Sequence, residues 1–149
     1  MYYYLLLIIP IIILIYVISK KQKKNDQELI DRTYEKLKTY GTFDENTQQL
    51  SVANQTFKIL FFKVPKDAEI MINSPKIWEI RTSYNQKLIN QTTFLAGDLK
   101  KIVLIYPEVQ PIKRYINENE MVFAKHTFFH NMYVIPLHDL DPLIKEVIL

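Results

Sequence analysis

The residues of this chain best placed by type and spacing to do chemistry are Asp67, Glu79 and Arg81. Asp67 follows Pro65-Lys66 at a turn between two expected strands, and Glu79-Ile80-Arg81 comes twelve residues later within a third. Strand side chains alternate between faces, so Glu79 and Arg81 share one face while Trp78 and Ile80 take the other. Read from the residues alone, this is a charged pair on a solvated sheet face with a turn aspartate beside it. His126 and His130 stand four apart, with His138 eight further on. Three imidazoles suit zinc, but their segment reads as strand and loop, where four residues cover about 13 Å, too far for one ion. They read as ordinary surface or partly buried histidines. Asn117-Glu118-Asn119-Glu120 puts negative charge at the expected end of a helix, where the dipole disfavours it, and reads as a polar loop.

An acidic residue at a strand turn, followed on the next strand by a carboxylate and a basic residue two apart, resembles the core motif of the restriction-endonuclease-like superfamily. Asp67, Glu79 and Arg81 carry the resemblance, and the element order over residues 26 to about 149 is similar. It implies that Asp67 and Glu79 hold a divalent metal, Mg²⁺ or Mn²⁺, and that the third residue handles water. The family has lysine where this chain has Arg81, which stays protonated and cannot act as a base, though it can hold a phosphate or water. Glu28, Asp31 and Glu35 on the first helix are candidates for the further acidic residue that some members carry.

Composition removes other classes. Two glycines among 149 residues exclude Gly-rich phosphate loops, and no Gly-x-Ser-x-Gly elbow exists to present a nucleophile. The absence of cysteine removes disulfide frameworks, thiolate zinc sites and cysteine nucleophiles.

Residues 1–19 carry no charge, and Tyr2–Ile18 is apolar on every helical face, with Pro10 as its one awkward residue. The expectation is an uncleaved single transmembrane helix, aromatic at its ends through Tyr2, Tyr3, Tyr4 and Tyr16. Lys20, Lys21, Lys23 and Lys24 follow in a basic juxtamembrane linker, residues 20–25. The positive-inside rule then puts the N-terminus outside and residues 26–149 in the cytoplasm, with membrane lipid as a partner. Setting those four lysines aside leaves 15 basic against 16 acidic residues. With no basic footprint, nucleic acid loses ground as a partner and a protein partner gains it.

The elements that must position these residues follow from periodicity. A helix runs from the Asn25-Asp26 cap through Ile30, Tyr34 and Leu37 to Gly41, in the place of a left-handed terminating residue. Residues 42–55 read as a loop or hairpin arm with a short strand at Leu50–Ala53. Thr56–Val64, Ala68–Asn73 and Lys76–Thr82 form an antiparallel meander of three strands. Residues 83–98 carry no clear period. Lys101–Tyr106 is a strand covered on both faces, Val109, Ile112 and Ile116 a short helix reaching about Asn119, and Met121–Ala124 and Met132–Leu137 further strands. A C-terminal helix begins at Asp141-Pro142.

The expected fold class is therefore α/β or α+β: a transmembrane helix, then a small mixed-sheet domain flanked by helices and long enough to bury a core without a cofactor. The expected function is a non-enzymatic interaction or scaffold module held at the membrane. The alternative is a membrane-tethered nuclease or nuclease relative using Asp67, Glu79 and Arg81.

Overall fold

The computed structural model describes residues 2–90 and 96–149, with side chains from residue 8. Its elements are α1 (Tyr2–Tyr40), β1 (Thr42–Asp44), β2 (Gln49–Val52), β3 (Gln55–Lys63), β4 (Glu69–Ile72), β5 (Ile77–Arg81) and β6 (Gln86–Asn90). There follow β7 (Lys100–Tyr106), β8 (Lys113–Asn117), β9 (Glu120–Phe123), β10 (Met132–Pro136) and a C-terminal run of helical turns that includes α2 (Leu140–Leu143). The class is α+β with mixed sheets.

Two compact units divide the chain, residues 1–36 and residues 37–149. The first is helical throughout its described length. The expected membrane span does not survive. Among the described residues no helix is long and apolar enough to cross a membrane. The apolar stretch of α1 ends at Ile18. The same helix carries Lys20, Lys21, Lys23 and Lys24 directly after it. Tyr2, Tyr3 and Tyr4, the expected aromatic end of the span, have side chains outside the described residues. The outside N-terminus and the cytoplasmic domain, both inferred from that span, fall with it.

The second unit holds two five-stranded mixed sheets among the described residues, ordered β1-β2-β3-β7-β10 and β6-β5-β4-β8-β9. In the first, β7 lies parallel to both β3 and β10. In the second, β4 lies parallel to β8 while β5, β6 and β9 run antiparallel to their neighbours. One apolar layer joins them: Val103, Ile105 and Val134 from the first sheet with Ile70, Ile72 and Trp78 from the second. Phe62 meets the Trp78 ring edge-on at 5.4 Å. The alternate residues of the first sheet, Phe57, Ile59, Ile102, Leu104 and Ile135, are buried on its other face, as are Leu140, Leu143 and Ile144 of the C-terminal turns. β7 is therefore covered on both faces, as its unbroken apolar run requires.

Three expectations of order are corrected. Thr56–Val64 does not form a meander with the next two strands; β3 pairs with β2 and β7, and the chain passes at Val64–Ala68 into the second sheet. Val109, Ile112 and Ile116 do not share a helix face. Val109 makes an isolated bridge to Ala68, and Ile116 lies in β8, which forms an antiparallel pair with β9. The unassigned stretch holds β6, although residues 91–95 of it lie outside the described residues. Gly41 ends α1 without a left-handed backbone, which among glycines belongs to Gly97. It is glycine because a Cβ there would stand 2.2 Å from the Ser51 carbonyl oxygen.

Candidate functional site

Asp67 lies in the connection between the sheets, with a left-handed backbone (φ 58°) and its N–H donating to the Glu108 carbonyl at 3.0 Å. Glu79 lies at the centre of β5, 7% exposed, and accepts a hydrogen bond from Arg81 Nη2 at 2.8 Å. Glu79 and Arg81 thus share a face, as alternation requires, and pair along their own strand rather than across the ladder. Asp67 is not brought to them. Glu79 stands opposite Met71, four residues beyond Asp67 and roughly 13 Å along the strand at about 3.3 Å per residue. Among the described residues no three His, Asp or Glu side chains gather as a metal ion would need.

The register instead builds a surface on the outer face of the second sheet. One row runs across all five strands: Leu88, Glu79, Met71, Lys113 and Phe123. Directly opposed residues point to the same side, so this row lies opposite the core side chains Trp78 and Ile72. In the neighbouring row Arg81 stands opposite Glu69, and Glu69 pairs with Lys113. Each carboxylate has a cation: Glu79 has Arg81, and Glu69 has Lys113. Around this neutral centre stand apolar side chains in water. Leu88 is 63% exposed at one edge and Phe123 52% at the other, with Ile77 and Met121 also exposed. Sequence reading caught the charged pair but not the row, because a row exists only once β6 and β9 have been assigned register.

The histidines separate into two places. His126 Nε2 lies 3.6 Å from one carboxylate oxygen of Asp139, and His138 Nε2 lies 3.4 Å from the other. His138 and Asp139 border a cavity of about 360 Å³ whose walls are mainly apolar, among them Val109, Ile112 and Val134. His130 is elsewhere, beside Arg114. Desolvation first, and then the Arg114 charge, hold its imidazole below the usual histidine range. The acidic run at Glu118 sits in the β8–β9 turn, where Asn117 Oδ1 accepts the Asn119 N–H at 3.0 Å. It never meets a helix dipole.

Two cations escaped the sequence reading. Lys101 is buried at the start of β7, and its ammonium donates to the carbonyls of Gly97 at 2.7 Å and Leu99 at 2.9 Å. Arg114 stands opposite Ile72 on the inner, core-facing side of the second sheet. A lysine heading an apolar run was a usable signal for the first; nothing in Lys113-Arg114-Tyr115 says which side chain faces inward.

Comparison with known protein families, with curated proteins and with solved structures finds no match to this chain.

Proposed function

We propose that this chain is a non-enzymatic interaction module whose contact surface is the outer face of the second sheet. The supporting observation is the cross-sheet row, with two large apolar side chains held in water at its ends and its charges neutralised within the sheet. Apolar side chains around satisfied polar groups suit a protein surface that is itself apolar at its centre and carries little charge. A nucleic-acid partner would ask for unpaired cations, and Arg81 and Lys113 are already committed to carboxylates.

A metal-dependent nuclease remains the second reading of Asp67, Glu79 and Arg81. The separation of the two carboxylates and the Glu79–Arg81 hydrogen bond favour binding over catalysis. A photo-reactive residue placed at Leu88 or Phe123 in the full chain, with Asn46 in the β1–β2 turn as control, tests the first reading in cells. One discrete protein adduct from both sheet positions and none from Asn46 is the expected result. Adducts equal at all three positions, or absent from all, would overturn the proposal.

A further inference from the structure

The cavity of about 360 Å³ lies between β10 of the first sheet, β9 of the second and the C-terminal turns, and its volume falls within the usual range for small-molecule sites. β10 contributes Val134 and Pro136, the β7–β8 connection Val109 and Ile112, and the end of β9 the Phe123 ring. Three side chains of another kind share that wall: Lys125, His138 and Asp139. An apolar cavity with a few polar groups on its lining is the usual build of a ligand site.

Asp139 stands at the N-cap of α2, where an aspartate ordinarily accepts an N–H from the first turn, yet its side chain makes no such bond. Its two oxygens lie 3.6 Å from His126 Nε2 and 3.4 Å from His138 Nε2, both beyond the ~2.7–3.2 Å of a hydrogen bond. Its side chain is 33% exposed, so the carboxylate is drawn partly out of water and keeps acceptor capacity for a cationic donor. Lys125 lies in the turn after β9, with a left-handed backbone (φ 37°) and the Thr127 N–H donating to the Ala124 carbonyl at 3.0 Å around it. That turn fixes where its stem begins, and a flexible four-carbon stem is long enough to bring the ammonium to the cavity. Among the described residues no carboxylate pairs with Lys125, Asp139 included. One apolar wall thus carries two opposite charges that do not neutralise each other. We infer that this cavity binds an α-amino acid with a large apolar side chain, its ammonium at Asp139, its carboxylate at Lys125 and its side chain among Val109, Ile112 and Val134. An apolar ligand with a single charge would cover one of the two protein charges without pairing it, which costs affinity. The site shares Phe123 with the proposed contact row, but the inference does not rest on that reading.

The test is an NMR titration of the full chain, following the amide signals of Val109, Lys125 and Val134. The probes are L-phenylalanine, 3-phenylpropionate and 2-phenylethylamine, which each lack one of its charges, and L-alanine, which lacks its ring. Phenylalanine should shift all three signals saturably, each single-charge analogue should bind roughly tenfold more weakly, and alanine should not bind. Asp139→Asn keeps the side-chain shape and a residue suited to the N-cap; it should weaken phenylalanine roughly tenfold and leave 3-phenylpropionate unchanged. Lys125→Met should weaken phenylalanine by a similar factor and leave 2-phenylethylamine unchanged. A misfolded variant would lose all the probes together, so this crossed pattern reads the charges themselves. No saturable shift with phenylalanine in the wild-type chain would overturn the proposal. So would a single-charge analogue or alanine that binds as tightly as phenylalanine, or variants that both bind phenylalanine like wild type.

Discussion

Gly41→Ala should destabilise the sheet unit by an amount the close approach at Ser51 makes calculable. A Cβ at residue 41 would stand 2.2 Å from the Ser51 carbonyl oxygen, and real Cβ atoms essentially never come within 3.0 Å of a neighbour, so at least the difference of 0.8 Å must open. The obstructing atom is backbone and cannot rotate away. Ser51 is pinned from both sides, by Thr42 on β1 and Thr56 on β3, so moving it strains two ladders. Overpacking of this kind costs about 1–3 kcal/mol, and a rigid obstruction belongs at the upper end. The lower unfolded-state entropy of alanine returns roughly 0.5 kcal/mol. The net loss is about 2 kcal/mol, or a Tm lower by roughly 4–8 °C for a chain of this size. Gly97→Ala is the matched control. Its φ of 93° is costly for alanine but nothing lies within 4 Å of the added methyl, so its loss is backbone strain of about 1–2 kcal/mol and no clash. Urea unfolding of the full chain followed by circular dichroism measures both. A Gly41→Ala chain within about 0.5 kcal/mol of wild type would refute the argument from steric approach.

Trp78→Ala should cost about 3–5 kcal/mol in the same assay, because the ring is fully buried between the sheets against Phe62; a loss under 1 kcal/mol would mean the core layer is wrongly placed. Stability should fall as the pH drops through the ordinary histidine range. His130 has its folded pKa depressed by burial and by Arg114, so the unfolded chain binds the proton first; the loss begins as pH falls through about 6.5 and ends below the folded pKa. Comparing urea midpoints at pH 7.5 and 5 with those of His130→Gln checks this, since that variant should lose part of the dependence. Calorimetric titration of Mg²⁺ and Mn²⁺ into the full chain should show no saturable binding that an Asp67→Ala/Glu79→Ala double variant removes; such binding would restore the nuclease reading.

Much of the fold was legible in local pattern. β3, β4, β5, β7 and β10 fall within a residue or two of the apolar and β-branched runs that announce them, and the C-terminal helical turns begin beside Asp141-Pro142. What failed was pairing. Pro65-Lys66-Asp67 reads equally as a hairpin turn or as a passage between sheets, and only the partner strands, far away in sequence, decide. Val109, Ile112 and Ile116 mimic a helix because a loop and a strand place apolar residues at chance intervals of three and four. The candidate site shared that fate. Alternation predicted correctly that Glu79 and Arg81 share a face, but the distance from Asp67 depends on register, and the row ending in Leu88 and Phe123 depends on β6, which carried no clear period, and on the register of β9, which the sequence announced as a strand but could not pair.

The most direct measurement of the central claim pairs Leu88→Asp with Phe123→Asp in one chain and repeats the crosslinking from Ile77 on the same face. The account predicts a thermal transition close to wild type, since both replaced side chains are already in water, together with loss of the protein adduct. An adduct that persists undiminished in the double variant would contradict it.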